Sequence, residues 1–270
     1  MLITGRDNPK IKQYRKLASS KKARAEFRLF TVEGMRNVLD ILGLADELGT
    51  FKVVSVFYTK QALEKYRGQL PVERIENFDE RSCYEITEQI ADKMSVVGQT
   101  QGAFAEVEML DRALSSEELI HNGKYLILNN IQDPGNLGTM LRTSAAVGIN
   151  GVILSNNTTD LYNPKVVRSA MGSMPRVGIY IENNFEKVLS LMNKAGIRTY
   201  AAVVSGGKDI RKNDFSGGCA VVVGNEGKGL SNDHAEMCSE KLTISMKGSM
   251  DSLNAAIAGT IFLWEMSCSE

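Results

Sequence analysis

Three consecutive valines, Val221–Val223, run straight into a turn with glycine at 224, 227 and 229 and one acid, Glu226. An unbroken β-branched run reads as a buried strand, and glycines at this density stop it. The pairing constrains the fold strongly, because open α/β sheets bring backbone up to a ligand where a strand ends in a glycine turn. Taken alone, VVVGNEGKGLS divides evenly between a ligand loop and a plain strand–helix turn, with Glu226 beside a helix start at Leu230–Ser231.

The second half of the chain repeats the pattern. Runs that read as strands fall at 125–129, 151–154, 177–180, 199–204, 220–223 and 241–244, and helices are expected near 137–147, 164–171, 185–195, 231–237 and 252–267. That alternation predicts an α/β fold with a mostly parallel sheet and covering helices. A smaller α/β unit is expected ahead of it. Asn8-Pro9 offers an N-cap followed by proline at the first helical position, and Ile11, Tyr14 and Leu17 mark one helix face. A second short helix is expected at 21–28, strands at 30–33, 53–58, 73–78 and 103–109, and helices from Gly34, over 61–67 and over 87–94. The polar stretch over 111–123, with Ser115-Ser116 and Asn122-Gly123, reads as a linker. The expected organisation is a small domain over 1–110, a linker over 111–123 and a larger domain over 124–270.

With 270 residues and 43% hydrophobic content, the chain has ample material for a core. No apolar run approaches the roughly 20 residues that span a bilayer, and MLITGRDNPK lacks the apolar centre of a secretory signal, so a cytoplasmic protein is expected. Four cysteines without CxxC spacing and two histidines argue against structural zinc and a disulfide framework, and no protein-held metal is expected. Net charge is zero, yet residues 1–30 hold nine Lys/Arg against Asp7 and Glu26, which leaves −7 for the remainder. Such a block is an electrostatic footprint for phosphates. Lys10, Lys12, Arg15, Lys16, Lys21, Lys22, Arg24 and Arg28 are therefore candidate RNA contacts, and Arg168, in NPKVVRSAMGSMPRV, extends the track.

Three loops leave carboxyl ends of expected strands, the side on which open α/β sheets bind ligands. One is 131–138, where Asp133, Pro134 and Gly135 supply turn chemistry and Asn136 is expected to cap a helix bearing Arg142. The second is the glycine turn. The third, 244–254, crosses Gly248 and enters a small-residue helix expected to be capped by Asp251 or Ser252. Together they offer backbone groups, the amides of Asn136, Asn225 and Asn254, the Glu226 carboxylate and the Ser252 hydroxyl. The Lys-Ser/Thr ending of a P-loop and the GxGxxG of a dinucleotide fold are both absent, so a nucleoside-type cofactor fits better.

In this order, NIQDPGNLGTMLRTSAAVGINGVIL, VVVGNEGKGLS and ISMKGSMDSLNAAIAGTIFLWE closely resemble the motifs of the SpoU/TrmH branch of the SPOUT methyltransferases, over about residues 124–267. NPKIKQYRKL and FTVEG resemble the ribosomal-protein-like substrate-binding domain of such enzymes. The resemblance implies S-adenosylmethionine as methyl donor, an RNA ribose 2′-hydroxyl as acceptor, a C-terminal trefoil knot and a homodimer formed through the knotted domain. Carried over by position, Gly224, Ile244 and Leu253 hold the cofactor, with Val203, Asn225, Gly227, Met246 and Ser252 beside them. Asn136, Arg142, Glu226, Ser252 and Asn254 form the polar catalytic set. Ribosomal RNA, the large subunit favoured, is the expected substrate; the alternatives are a tRNA 2′-O-methyltransferase or a non-catalytic RNA-binding homologue.

Overall fold

The computed structural model describes residues 1–155, 157–248 and 251–268. In chain order the first stretch holds β1 (Leu2–Ile3), α1 (Pro9–Ser19), α2 (Lys21–Phe27), β2 (Leu29–Glu33), α3 (Met35–Leu48) and β3 (Val53–Tyr58). It continues through α4 (Lys60–Tyr66), α5 (Glu73–Glu76), β4 (Cys83–Ile86), α6 (Glu88–Met94) and β5 (Ala103–Glu108). Then come β6 (Arg112–Ala113), β7 (Lys124–Asn129), α7 (Pro134–Ala146), β8 (Gly151–Ser155), α8 (Pro164–Ala170), β9 (Gly178–Ile181) and α9 (Phe185–Lys194). The chain closes with β10 (Arg198–Ala202), β11 (Lys208–Asp209), β12 (Cys219–Val223), α10 (Asn232–Glu236), β13 (Glu240–Thr243) and α11 (Ala255–Cys268). These elements form two compact units: residues 1–110 with 160–175, and residues 111–159 with the remainder.

The first unit is built on a five-stranded sheet in the order β1-β4-β3-β5-β2, with β5 antiparallel to both neighbours. Helix α1 starts as its sequence predicts, the Asn8 side chain accepting from Lys10 N–H ahead of Pro9. Its period-3.6 stripe of Ile11, Tyr14 and Leu17 is buried. The Tyr14 ring meets Phe57 and Phe104 edge-on at 5.9 and 5.5 Å, which locks the helix onto the sheet. Residues 73–78, expected as a strand, contain the helix α5 instead. Val72 and Ile75, three apart, are both buried, a helical spacing. The strand lies ten residues later at β4, which also pairs with β1 in parallel.

Segment 160–175, expected with the larger domain, packs with this first unit. Tyr162 lies 4.9 Å from Phe30, ring to ring, and its hydroxyl accepts from Leu110 N–H. Asp160 pairs with Arg24. Arg24, expected on RNA, is only 4% exposed, and its guanidinium also donates to the Leu17 and Ala18 carbonyls at the end of α1. It satisfies helix-end carbonyls and a buried acid, which leaves it out of reach of a phosphate. The other expected basic contacts, Lys10, Lys12, Arg15, Lys16, Lys21, Lys22, Arg28 and Arg168, are exposed.

In the second unit, eight strands run in the order β11-β13-β10-β12-β7-β8-β9-β6, every pair parallel. β12 and β8 are buried along their whole length, as unbroken apolar runs in a covered parallel sheet must be. The stretch expected as a linker supplies the edge strand β6. Burial pushes the Cys219 and Cys238 thiols up to about 11, so both behave as small core residues. After β7 the chain turns to β8 on one side, whereas β12 borders β7 on the other. The carboxyl ends of β12 and β7 therefore sit side by side where strand order reverses.

Candidate active site

A cavity of about 220 Å³ lies at the carboxyl ends of the adjacent strands β13, β10 and β12. All eight residues expected to hold a cofactor line it: Val203 after β10, Gly224, Asn225 and Gly227 after β12, Ile244 and Met246 after β13, and Ser252 and Leu253 before α11. Helix α11 adds Ala255, Ala258 and Phe262. Small residues of this helix also serve close packing. That task falls to Gly259, where a Cβ would stand 2.8 Å from the Met140 sulfur of α7.

The glycine turn closes on itself. Asn225 and Gly229 exchange backbone hydrogen bonds of 3.1 and 2.8 Å, and the Asn225 side-chain oxygen accepts from Gly227 and Lys228 N–H. The Asn225 NH2 reaches across to the Asn130 carbonyl, tying this turn to the loop after β7. A Cβ on Gly224 would fall inside the backbone of Gly229 and Leu230. Glycine is required there for loop closure, and the same residue lines the cavity.

A wider polar hollow of about 640 Å³ adjoins the cavity and shares Asn225, Glu226 and Gly227 with it. Asp133, not Asn136, caps α7, accepting from Gly135 and Asn136 N–H at 2.7 and 2.9 Å. Asn136 thus sits in the first turn and lines the hollow. Its NH2 donates to Glu226 at 3.1 Å, and its oxygen accepts from the Asn254 NH2 at 3.1 Å. Asn254, rather than Asp251 or Ser252, caps α11, accepting from Ala256 N–H at 2.8 Å. One residue therefore serves as helix cap and as a wall of the site.

Glu226 accepts N–H groups from Gln132 at 3.0 Å and Asp133 at 2.9 Å as well as the Asn136 amide. Burial alone would raise its carboxyl, but the Asp133, Gln132 and own-backbone N–H groups and the Asn136 amide together hold it below the usual carboxylate range. Gln132 has no signal in the sequence, yet it lines the hollow and braces its floor by donating to the Asn130 side chain and the Asn157 carbonyl, both at 2.8 Å. Arg142 is exposed on α7 two turns further along and lines neither space.

Apolar faces from Val203, Ile244, Leu253 and Phe262, backbone groups of the closed turn and the Ser252 hydroxyl suit a flat heteroaromatic nucleoside with a polar edge. The neighbouring hollow, lined by amides and carboxylates, suits a sugar. Among the described residues, no helix is long and apolar enough to cross a membrane.

The profile of the SpoU rRNA Methylase family matches residues 123–264, and that of the MRM3-like substrate binding domain matches residues 8–105. The Bacillus subtilis 23S rRNA (guanosine(2553)-2'-O)-methyltransferase RlmP is 28% identical over 264 residues, covering 98% of each chain. Among solved structures, the AdoMet-bound rRNA methyltransferase from Sinorhizobium meliloti is 29% identical with a TM-score of 0.81, covering 98% of this chain and 97% of that one. The SpoU methyltransferase AviRb from Streptomyces viridochromogenes, in complex with AdoMet, is 25% identical with a TM-score of 0.81, covering 97% of each chain.

Proposed function

The chain belongs to the SpoU rRNA Methylase family, and from that premise we propose that it transfers a methyl group from S-adenosylmethionine to a ribose 2′-hydroxyl of large-subunit ribosomal RNA. The observation that carries this reading is the shared wall over 225–227, which sets a nucleoside-shaped cavity beside a sugar-sized polar hollow. Bound in the cavity, S-adenosylmethionine supplies an electrophilic methyl carbon on a sulfonium. The protein's task is then to hold the ribose oxygen in line with that carbon and to favour loss of its proton, and positioning of this kind is worth several kcal/mol of the roughly 8–23 that enzymes supply.

Asn136 and Asn254, fixed to each other and to Glu226, orient the ribose. Glu226 is a positioning residue: its oxygens are taken by donors of the 132–136 loop, and it stays ionised at neutral pH. Arg142, on the same helix as Asn136 but outside both spaces, is assigned the target phosphate, with its guanidinium acting on the developing alkoxide only once RNA is bound. We infer further that the C-terminal unit is knotted and that two copies associate through α11. In support, Ile257 and Trp264 are 51% and 60% exposed and share one face with the half-buried Ile261.

The reading is tested by incubating the protein with methyl-labelled S-adenosylmethionine and rRNA from a strain lacking its gene, then mapping 2′-O-methylated nucleotides. One new ribose mark in large-subunit RNA is expected. Label on a base, or on tRNA alone, would refute it. Arg142→Ala is expected to lower turnover by at least about 10²-fold, as loss of one charge-stabilising group does, while calorimetric cofactor binding stays within about twofold.

A further inference from the structure

The first unit holds a cleft of about 620 Å³ between the end of β2, the end of α4, the segment before β5 and the end of α8. Arg36 and Arg168 both line it and are exposed. Neither guanidinium has a hydrogen bond or ion pair among the described residues, whereas the exposed Arg67 and Arg81 of this unit pair with Glu76 and Asp79 and, like these two, Arg15 has no ion pair. The one carboxylate at the cleft, Glu33, accepts from the Ser95 hydroxyl and from Val96 N–H at 3.1 Å and forms no ion pair with either arginine among the described residues. Two guanidinium groups without ion pairs against one carboxylate leave the cleft with excess positive charge, which calls for anionic oxygens.

The remaining lining narrows the class of anion. Tyr66 and Met171, the latter 44% exposed, offer an aromatic ring and a polarisable thioether. Asn37 donates its NH2 to the Glu33 carbonyl at 3.1 Å, which leaves its oxygen as an acceptor. Gln101 accepts from Met35 N–H at 2.9 Å, which leaves its NH2 as a donor. A stacking surface, one fixed acceptor, one fixed donor and two cations match a base with its flanking phosphates. A base is available to such a cleft only when it is unpaired, because side chains cannot read the deep groove of an RNA helix.

We propose that this cleft holds one unpaired nucleotide of the substrate RNA. Arg36 and Arg168 grip its phosphates, Tyr66 stacks on the base, and Asn37 and Gln101 meet its edge. The proposal rests on the RNA reading above and adds to it the place where a single-stranded feature is recognised. Arg168 and Met171 come from sequence that matches the methylase family, yet they complete a cleft made otherwise by the substrate-binding match.

The test uses the full chain and fluorescence anisotropy over about 50–300 mM salt. The probes are fluorescein-labelled single-stranded A, C and U homopolymers and a perfect RNA duplex of the same length. Arg36→Ala/Arg168→Ala is expected to weaken single-strand binding at least tenfold and to lower the salt slope by about 1.4, two contacts at about 0.7 each. Tyr66→Ala is expected to weaken it about tenfold with the slope unchanged. Duplex affinity should hold in both, and thermal melting should report intact folding. Equal losses on single strand and duplex would overturn the proposal in favour of diffuse attraction. So would a double variant with unchanged affinity and slope; if Lys10→Gln/Arg15→Gln lost binding beside it, the RNA reading would survive. A wild-type protein that binds no RNA would sink that reading and this proposal together.

Discussion

Glu226 and Gly224 do different work from what their places in a glycine turn suggest. The Glu226 carboxylate binds the loop ahead of α7. Its folded pKa lies below the ordinary value, so the stability it contributes is complete above about pH 4.3 and is lost as pH falls through the lowered value. Cofactor affinity is therefore expected to be flat between about pH 6 and 8 with respect to this group. Glu226→Gln keeps the shape but turns an NH2 toward donors; one unsatisfied N–H costs about 1–3 kcal/mol. That variant should melt earlier and bind the cofactor more weakly at neutral pH, read by calorimetry. Wild-type behaviour would show that the loop is held by something else. Gly224→Ala should cost about 1–3 kcal/mol through overpacking against the turn's own backbone, with cofactor affinity lost as the turn opens. Gly227→Ala is the control, because a Cβ there meets only the Asn225 side-chain oxygen, at 3.7 Å. If the two melted alike, closure of the turn would not be what Gly224 provides.

At the scale of elements, periodicity located most of the helices and strands, and it went wrong where two patterns overlapped. Residues 73–78 mix β-permissive residues with a helical spacing, and burial of Val72 and Ile75 decides for α5. Caps were misplaced by a few residues because Asp133 and Asn136, like Ser252 and Asn254, are all competent caps. Helix α1 was legible in full: its apolar stripe is buried, so its basic residues must face outward. Residues 1–30 cannot be deleted to test RNA binding, since Ile3, Ile11, Tyr14 and Leu17 belong to the core. Charge substitution is the sound test. Lys10 and Arg15 form no salt bridge among the described residues, while Lys12 and Lys16 pair with Asp7 and Glu26 at 2.9 and 3.8 Å. Lys10→Gln/Arg15→Gln should lower the salt slope of RNA binding by about 1.4, and Lys12→Gln/Lys16→Gln by less, because those charges are already partly compensated. Equal slopes for both pairs would contradict this ranking.

For the whole molecule, assembly is the open physical question that α11 poses. The helix is apolar all round: one side lines the cavity with Ala255, Ala258 and Phe262, while another leaves Ile257 and Trp264 exposed. Exposed apolar residues at such spacing suit the association through α11 proposed above. Trp264→Glu is expected to convert a dimer into a monomer in analytical ultracentrifugation and to weaken cofactor binding by loosening α11, whereas an unchanged dimer would place the interface elsewhere. The sequence by itself determined the α/β class, the parallel sheet, the glycine turn and the ordered motifs, because hydrophobic period and turn chemistry are local properties of neighbouring residues. Only the tertiary structure decided that Arg24 is a buried pairing residue of Asp160, that segment 160–175 packs with the first unit, and that Asn254, Asn136 and Glu226 form one chain of hydrogen bonds. Each depends on partners about 90 to 140 residues apart, and no local pattern records which distant group a polar side chain will meet once the core is formed.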